Sequence, residues 1–153
     1  MLWVEYTMSQ KIILGTDHAG FKLKETLKSF LEQEGYTIED LGTNSEESVD
    51  YPPIMKKVAK KVAKENATGI ILGGSGQGEA MTANRVKGIR ATVYYGGNKD
   101  IITLSKEHNN ANILSLGARF LSEKEAKAAV KLWLNTKFPQ ETRHIRRIKE
   151  IDQ

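Results

Sequence analysis

The sequence predicts a doubly wound α/β fold: a five-stranded parallel sheet with helices on both faces, Rossmann-like, plus a C-terminal helix. Three observations predict it. Short apolar runs alternate five times with longer stretches whose apolar residues mostly recur every three or four positions. The run Ile70-Ile71-Leu72 is apolar and mostly β-branched, which suits a strand covered on both faces. Polar clusters follow several of these runs, where sheets of this kind bind ligands.

In chain order, Lys11 to Gly15 forms the first strand and ends in Thr16-Asp17-His18-Ala19-Gly20. Phe21 to Glu34 is helical by the spacing of Phe21, Leu23, Leu27, Phe30 and Leu31, and Gly35 stops it. Tyr36 to Leu41 is a second strand with partial alternation, followed by a polar loop to Tyr51. Pro52-Pro53 opens a helix to about Glu65. Ile54, Met55, Val58, Ala59 and Val62 line its inner face, and five lysines its outer one. The third strand, Thr68 to Leu72, runs into a glycine-rich loop and a helix starting near Gly78. Ala91 to Tyr95 is the fourth strand, and Asn98 to about Glu107 a helix. His108 to Asn112 is a polar loop before the fifth strand, Ile113 to Leu116. Ser122-Glu123-Lys124-Glu125 is a capping box opening a helix to about Asn135. A last helix starts near Gln140.

At 153 residues the chain is long enough for one domain with a real core. We read 11–153 as that domain and 1–10 as an N-terminal extension, non-native or disordered. Alternatively, Trp3 and Tyr6 belong to an ordered arm that packs on a neighbour. No membrane span and no secretory signal pattern is evident, and there is no cysteine, which fits a cytoplasmic protein. A net charge of +4 favours an anionic small substrate over nucleic acid. The lysine-rich helix face reads as a solvated one.

The glycine-rich loop carries the most chemistry. Gly73, Gly74, Gly76 and Gly78 bring main-chain N–H groups within reach of a ligand, and a following helix adds its positive end. No Gly-Lys-Ser/Thr follows, so this is not a nucleoside-triphosphate loop, and the spacing does not fit the dinucleotide fingerprint. Gln77 stands where a serine-hydrolase elbow needs glycine. The three histidines lie apart and lack metal-ligand spacing, which disfavours metal catalysis, though Asp17, His18, Glu79 and His108 could in principle converge. What remains is an oxyanion cradle with a carboxylate, Glu79, beside it. That pairing suits proton abstraction next to a carbonyl. Equally, Glu79 in a first helical turn only offsets the helix dipole, and the loop is only a tight turn. Arg143, His144 and Arg147 share a broad helix face that could grip a phosphate, or form an exposed basic end. Asp17, His18, Tyr51 and Arg119 lie at carboxyl ends of strands, whereas His108 precedes the fifth strand and lies near the opposite end. A homodimer placing His108 in a partner's site would resolve that conflict.

Several separated motifs resemble one family. They are Gly15-Thr-Asp-His-Ala-Gly-Phe21, Ser48-Val-Asp-Tyr-Pro52, Gly73-Gly-Ser-Gly-Gln-Gly-Glu79 with Ala83-Asn84-Arg85, Gly88-Ile-Arg-Ala91, His108-Asn-Asn-Ala-Asn112, Gly117-Ala-Arg119 and Arg143-His-Ile-Arg-Arg147. The chain resembles the type B ribose-5-phosphate isomerases, which form one family with the subunits of galactose-6-phosphate isomerase. Many members use a cysteine base where this chain has Gly73, and a second subgroup uses the glutamate that closes the loop. The resemblance implies an aldose–ketose isomerase acting through an enediolate without metal or cofactor, with Glu79 as base. It implies that Ser75 and the N–H groups around Gly74 and Gly78 hold the enediolate oxygen, and that Asp17 and His108 assist ring opening. It further implies that His18, Tyr51 and Asn109 line the sugar site and that Arg119, Arg143, His144 and Arg147 hold the phosphate. The implied assembly is a homodimer or tetramer with sites shared between subunits, acting on ribose 5-phosphate and ribulose 5-phosphate, with no nucleic acid and no membrane as partner. Alternatives are the same chemistry on galactose or allose 6-phosphate, or a non-catalytic module binding a sugar phosphate or nucleotide.

Overall fold

A computed structural model describes residues 9–153. Five strands form one parallel sheet in the order β2-β1-β3-β5-β4. They are β1 (Lys11–Thr16), β2 (Thr37–Asp40), β3 (Thr68–Gly73), β4 (Ala91–Tyr94) and β5 (Ile113–Gly117). The helices are α1 (Phe21–Gln33), α2 (Tyr51–Glu65), α3 (Gln77–Ala83), α4 (Asp100–Glu107), α5 (Glu123–Asn135) and α6 (Thr142–Ile151). Most of residues 1–10, where the sequence predicts an extension, and with them Trp3 and Tyr6, lie outside the described residues. Gln10 already belongs to the sheet edge, since its carbonyl accepts from the Thr37 N–H at 3.0 Å.

Alternation along the central strands sorts the core into two layers. Ile12, Leu14, Ile70, Leu72, Leu114 and Leu116 face α1, α4 and α5, around Leu27, Ile102 and the fully buried Trp133. Ile13, Ile71 and Ile113 face α2 and α3, around Met55, Val58 and Val62. The helix ends have local causes. The Ser122 hydroxyl accepts from the Glu125 N–H at 3.1 Å at the start of α5, as its capping box predicts. Gly35 takes φ +96° just after α1, where a side chain would be strained. Tyr51, Pro52 and Pro53 open α2, and the two prolines leave fewer unpaired N–H groups in its first turn.

The register places the site. Thr16 pairs with Leu72, and Gly73 with Gly117, so the carboxyl ends of β1, β3 and β5 finish side by side. The chain leaves β1 toward β2 on one side and returns to β3 on the other. Their shared end is therefore a switch point with an open crevice. At the other end, Gly69 pairs with Ile113, so the loop leading into β5 lies at the amino ends. No helix of the described residues is long and apolar enough to cross a membrane.

Candidate active site

The glycine loop at the end of β3 is built to seat a carboxylate. Glu79 is in the first turn of α3 and only 4% exposed. Its carboxylate fills the space that a side chain on residue 73 would take: a Cβ on Gly73 would fall inside it. Burial pushes the Glu79 carboxyl above its ordinary value, a backbone N–H opposes the shift, and the negative charge of Asp17 adds to it. The loop is pinned around it. Gly76 takes φ +79°, open to glycine, and the Ser115 hydroxyl donates to its carbonyl at 2.7 Å. The exposed Ser75 accepts from the Gln77 N–H at 3.2 Å.

Neighbouring elements bring their side chains to this loop. Asp17, 7% exposed, caps a 3₁₀ turn, His18–Gly20, and accepts from the Ala19 N–H at 2.9 Å. The His18 Nδ1 accepts from the Val49 N–H at 3.2 Å, which leaves Nε2 as the protonated nitrogen of the neutral ring. The Tyr51 hydroxyl lies against Gly78, where a Cβ would collide with it. The Arg119 N–H donates to the Gly74 carbonyl at 3.1 Å, and its guanidinium packs over Gly74. One chain therefore gathers Asp17, His18, Tyr51, Gly74, Ser75, Gly78, Glu79 and Arg119 at one end of the sheet.

The other five predicted residues form a second group at the opposite end. His108 ends α4 and Asn109 follows it. His108 stacks on His144 of α6, with ring centroids 4.3 Å apart and planes 17° from parallel. His144 is buried, and burial, the His108 ring and Arg143 hold its imidazole below its ordinary value, against the opposing charge of Glu141. Among the described residues its Nε2 has no hydrogen-bond partner, the Glu141 carboxylate lying 3.6 Å away. Arg143 and Arg147 flank it, exposed. Within one chain His108 does not reach Glu79, which is the separation the sequence predicts. Among the described residues no cluster of three or more histidine or carboxylate side chains converges as a metal site.

Sequence reasoning missed two supports. Lys24 is completely buried in α1; its Nζ lies 2.7 Å from Asp40 and donates to the Thr43 carbonyl at 2.8 Å. The corner it holds pairs with Thr16, next to Asp17, through Thr16 N–H to Gly42 and Thr43 N–H to Thr16, both 2.7 Å. Its spacing of three to Leu27 and seven to Leu31 is the available signal. Arg90 is the other; it lies in the Gly88–Ala91 motif that carries part of the resemblance, which implies no role for it.

Comparison with known proteins shows the family and its fold. A family model for Ribose/Galactose Isomerase matches residues 12–151. A ribose-5-phosphate isomerase B from Mycolicibacterium paratuberculosis is 39% identical over 140 residues, covering 90% of this chain and 87% of that protein. Among solved structures, ribose-5-phosphate isomerase B from Clostridium thermocellum superposes with a TM-score of 0.89 at 42% identity, covering 94% of this chain and 95% of that one. The ribose 5-phosphate isomerase from Thermotoga maritima gives 0.88 at 44% identity, covering 95% and 99%.

Proposed function

The chain belongs to the ribose/galactose isomerase family, and from that premise we propose that it interconverts ribose 5-phosphate and ribulose 5-phosphate, with Glu79 as the base. The observation that carries this reading is the buried Glu79 carboxylate in the space left open by Gly73, folded back on the start of the glycine loop. Glu79 removes the C2 proton of the open-chain aldose and, once the O2 hydroxyl proton has passed to O1, returns it to C1. The bond electrons move onto the carbonyl oxygen, so charge develops there and not on carbon. Ser75 and the N–H groups around Gly74 and Gly78 hold that oxygen, a contribution of about 2.7–4 kcal/mol for one good donor. The raised pKa makes Glu79 a stronger base than a solvated carboxylate, and it can hold the proton between the two transfers.

Asp17 and His108 assist ring opening; His18, Tyr51 and Asn109 line the sugar; Arg119, Arg143, His144 and Arg147 hold the phosphate. These roles require the two ends of the sheet to meet. A homodimer, alone or within a tetramer, achieves that by setting the amino-end group of one chain against the carboxyl-end group of its partner. The exposed Arg143 and Arg147 support this reading, since their guanidinium groups present charge outward beside the buried His144.

Replacement of Glu79 by Gln tests the base directly. The expected result is a fall in kcat of about 10²–10⁴-fold with KM little changed. Near wild-type turnover would remove Glu79 from the mechanism. Comparing kcat/KM for ribose 5-phosphate with galactose and allose 6-phosphates tests the substrate; a preference for either hexose would overturn the pentose assignment.

A further inference from the structure

Arg90 stands at the amino end of β4, and its side chain is 15% exposed. The guanidinium uses most of its donors on one small region. Nε donates to the carbonyls of Asn109 at 3.0 Å and Asn110 at 3.2 Å, and Nη2 to Asn110 at 3.1 Å. Nη1 reaches Asp152, just past the end of α6, at 2.9 Å. The backbone joins in: the Arg90 N–H donates to the Asn112 side chain at 2.8 Å, and the Asn112 N–H to the Arg90 carbonyl at 3.1 Å. Asn110 itself takes φ +44°, a left-handed conformation that a residue with a side chain holds at a cost. The loop thus depends on outside bonds for its shape.

This loop carries His108 and Asn109, and α6 carries Arg143, His144 and Arg147. From this we propose that Arg90 is a positioning residue for the isomerisation, fixing the ring-opening loop against the phosphate-binding helix. The inference rests on the roles given above to His108 and α6. Two links join the loop and the helix: the His108–His144 stack at one point and the Arg90–Asp152 pair at another. Two separated links set an orientation, which one alone leaves free to swing. The closed sugar ring and the phosphate are held by opposite sides of this arrangement, so its spacing decides whether His108 reaches the ring while the phosphate is held. The planar fork of arginine serves two carbonyls and a carboxylate at once. Lysine, a single charged point, cannot.

The test compares Arg90→Ala, Arg90→Lys and His108→Ala in the full-length enzyme. Arg90→Ala is expected to lower kcat/KM for ribose 5-phosphate by about 10²-fold, the cost of a displacement of about 1 Å at a site. Arg90→Lys should fall between it and wild type. A second readout is deuterium exchange at C1 of ribulose 5-phosphate. That ketose has no free C5 hydroxyl with which to close a furanose ring, so its exchange needs no ring opening. It should be depressed less than ribose 5-phosphate turnover. Arg90 lines a cavity of about 540 Å³ with Asn109 and Asp152, so guanidinium chloride at non-denaturing concentration should restore part of the Arg90→Ala activity and none of the His108→Ala activity. Turnover of Arg90→Ala close to wild type, with His108→Ala impaired, overturns the inference and leaves the proposed function standing. A loss in Arg90→Ala that is equal in both assays and untouched by guanidinium overturns it too, since that marks a merely structural role. Wild-type turnover in His108→Ala instead overturns the reading of the site on which the inference rests. Should Arg90→Ala fail to fold, Arg90→Lys takes its place in both assays: a greater loss of turnover than of exchange supports the inference, and an equal loss or none overturns it.

Discussion

At Glu79, the proposed base, the fold holds a carboxylate away from water and beside the negative charge of Asp17. Both conditions raise its pKa above the ordinary 4.5. The base must be ionised to act, so kcat/KM should fall as pH drops through that raised value and not through 4.5. A pH–rate profile for ribose 5-phosphate checks this, with an acid limb above 4.5 as the expected result. The seat of the carboxylate gives a second prediction. Gly73→Ala puts a methyl group where the Glu79 carboxylate lies, so the chain keeps its base but moves it. We expect kcat to fall by about 10²-fold, as measured by turnover of ribose 5-phosphate. In the sequence, the closeness of Glu79 and Ser75 to the glycine loop was legible because the segment is contiguous. The meeting of residue 73 with the Glu79 side chain was not, because spacing along a loop does not say which way it folds back. The Tyr51 hydroxyl against Gly78 was hidden for the same reason, since it joins segments far apart in sequence.

Helix and strand elements were legible where their ends have local chemistry. Gly35, Pro52-Pro53 and Ser122 act through neighbours within a turn, and α1, α2 and α5 begin or end at them. β2 spans Thr37–Asp40 in place of the expected Tyr36 to Leu41, although the Leu41 N–H still donates to the Leu14 carbonyl of β1 at 2.9 Å. Lys24 escaped notice because a lysine on the core face of a helix is rare unless paired, and its partner Asp40 lies in the next strand. Burial pushes the Asp40 carboxyl up, but the Lys24 hydrogen bond, the Gly42 N–H and the charges of Lys24 and Lys28 outweigh it and hold it below 3.8. A carboxylate with a lowered folded pKa stabilises the fold above its unfolded value. That contribution disappears as pH falls through the folded value. Lys24→Ala should destabilise by about 3–5 kcal/mol, since it leaves Asp40 without its buried partner. Denaturant unfolding at neutral pH measures this, and the Lys24→Ala penalty should shrink as Asp40 becomes protonated.

For the whole molecule, five alternating units indicated a parallel doubly wound sheet, but not the position of β5 between β3 and β4. That order depends on pairing between distant strands, which no local pattern encodes. The ends of the sheet were legible, because a residue before a strand and a residue after it must lie at opposite ends. Hence His108 and Glu79 were separated in the sequence and are separated in the fold. The central claim is that Glu79 of one chain and His108 of another act on the same sugar phosphate. Subunit mixing tests it most directly. Glu79→Gln and His108→Ala chains, each nearly inactive alone, are unfolded together, refolded and assayed with ribose 5-phosphate. With shared sites, half of the randomly paired dimers carry one site free of both substitutions, so activity should return to about one quarter of wild type. If the mixture stays as inactive as its two parents, every site takes both residues from one chain, and a site built from two opposite sheet ends is contradicted.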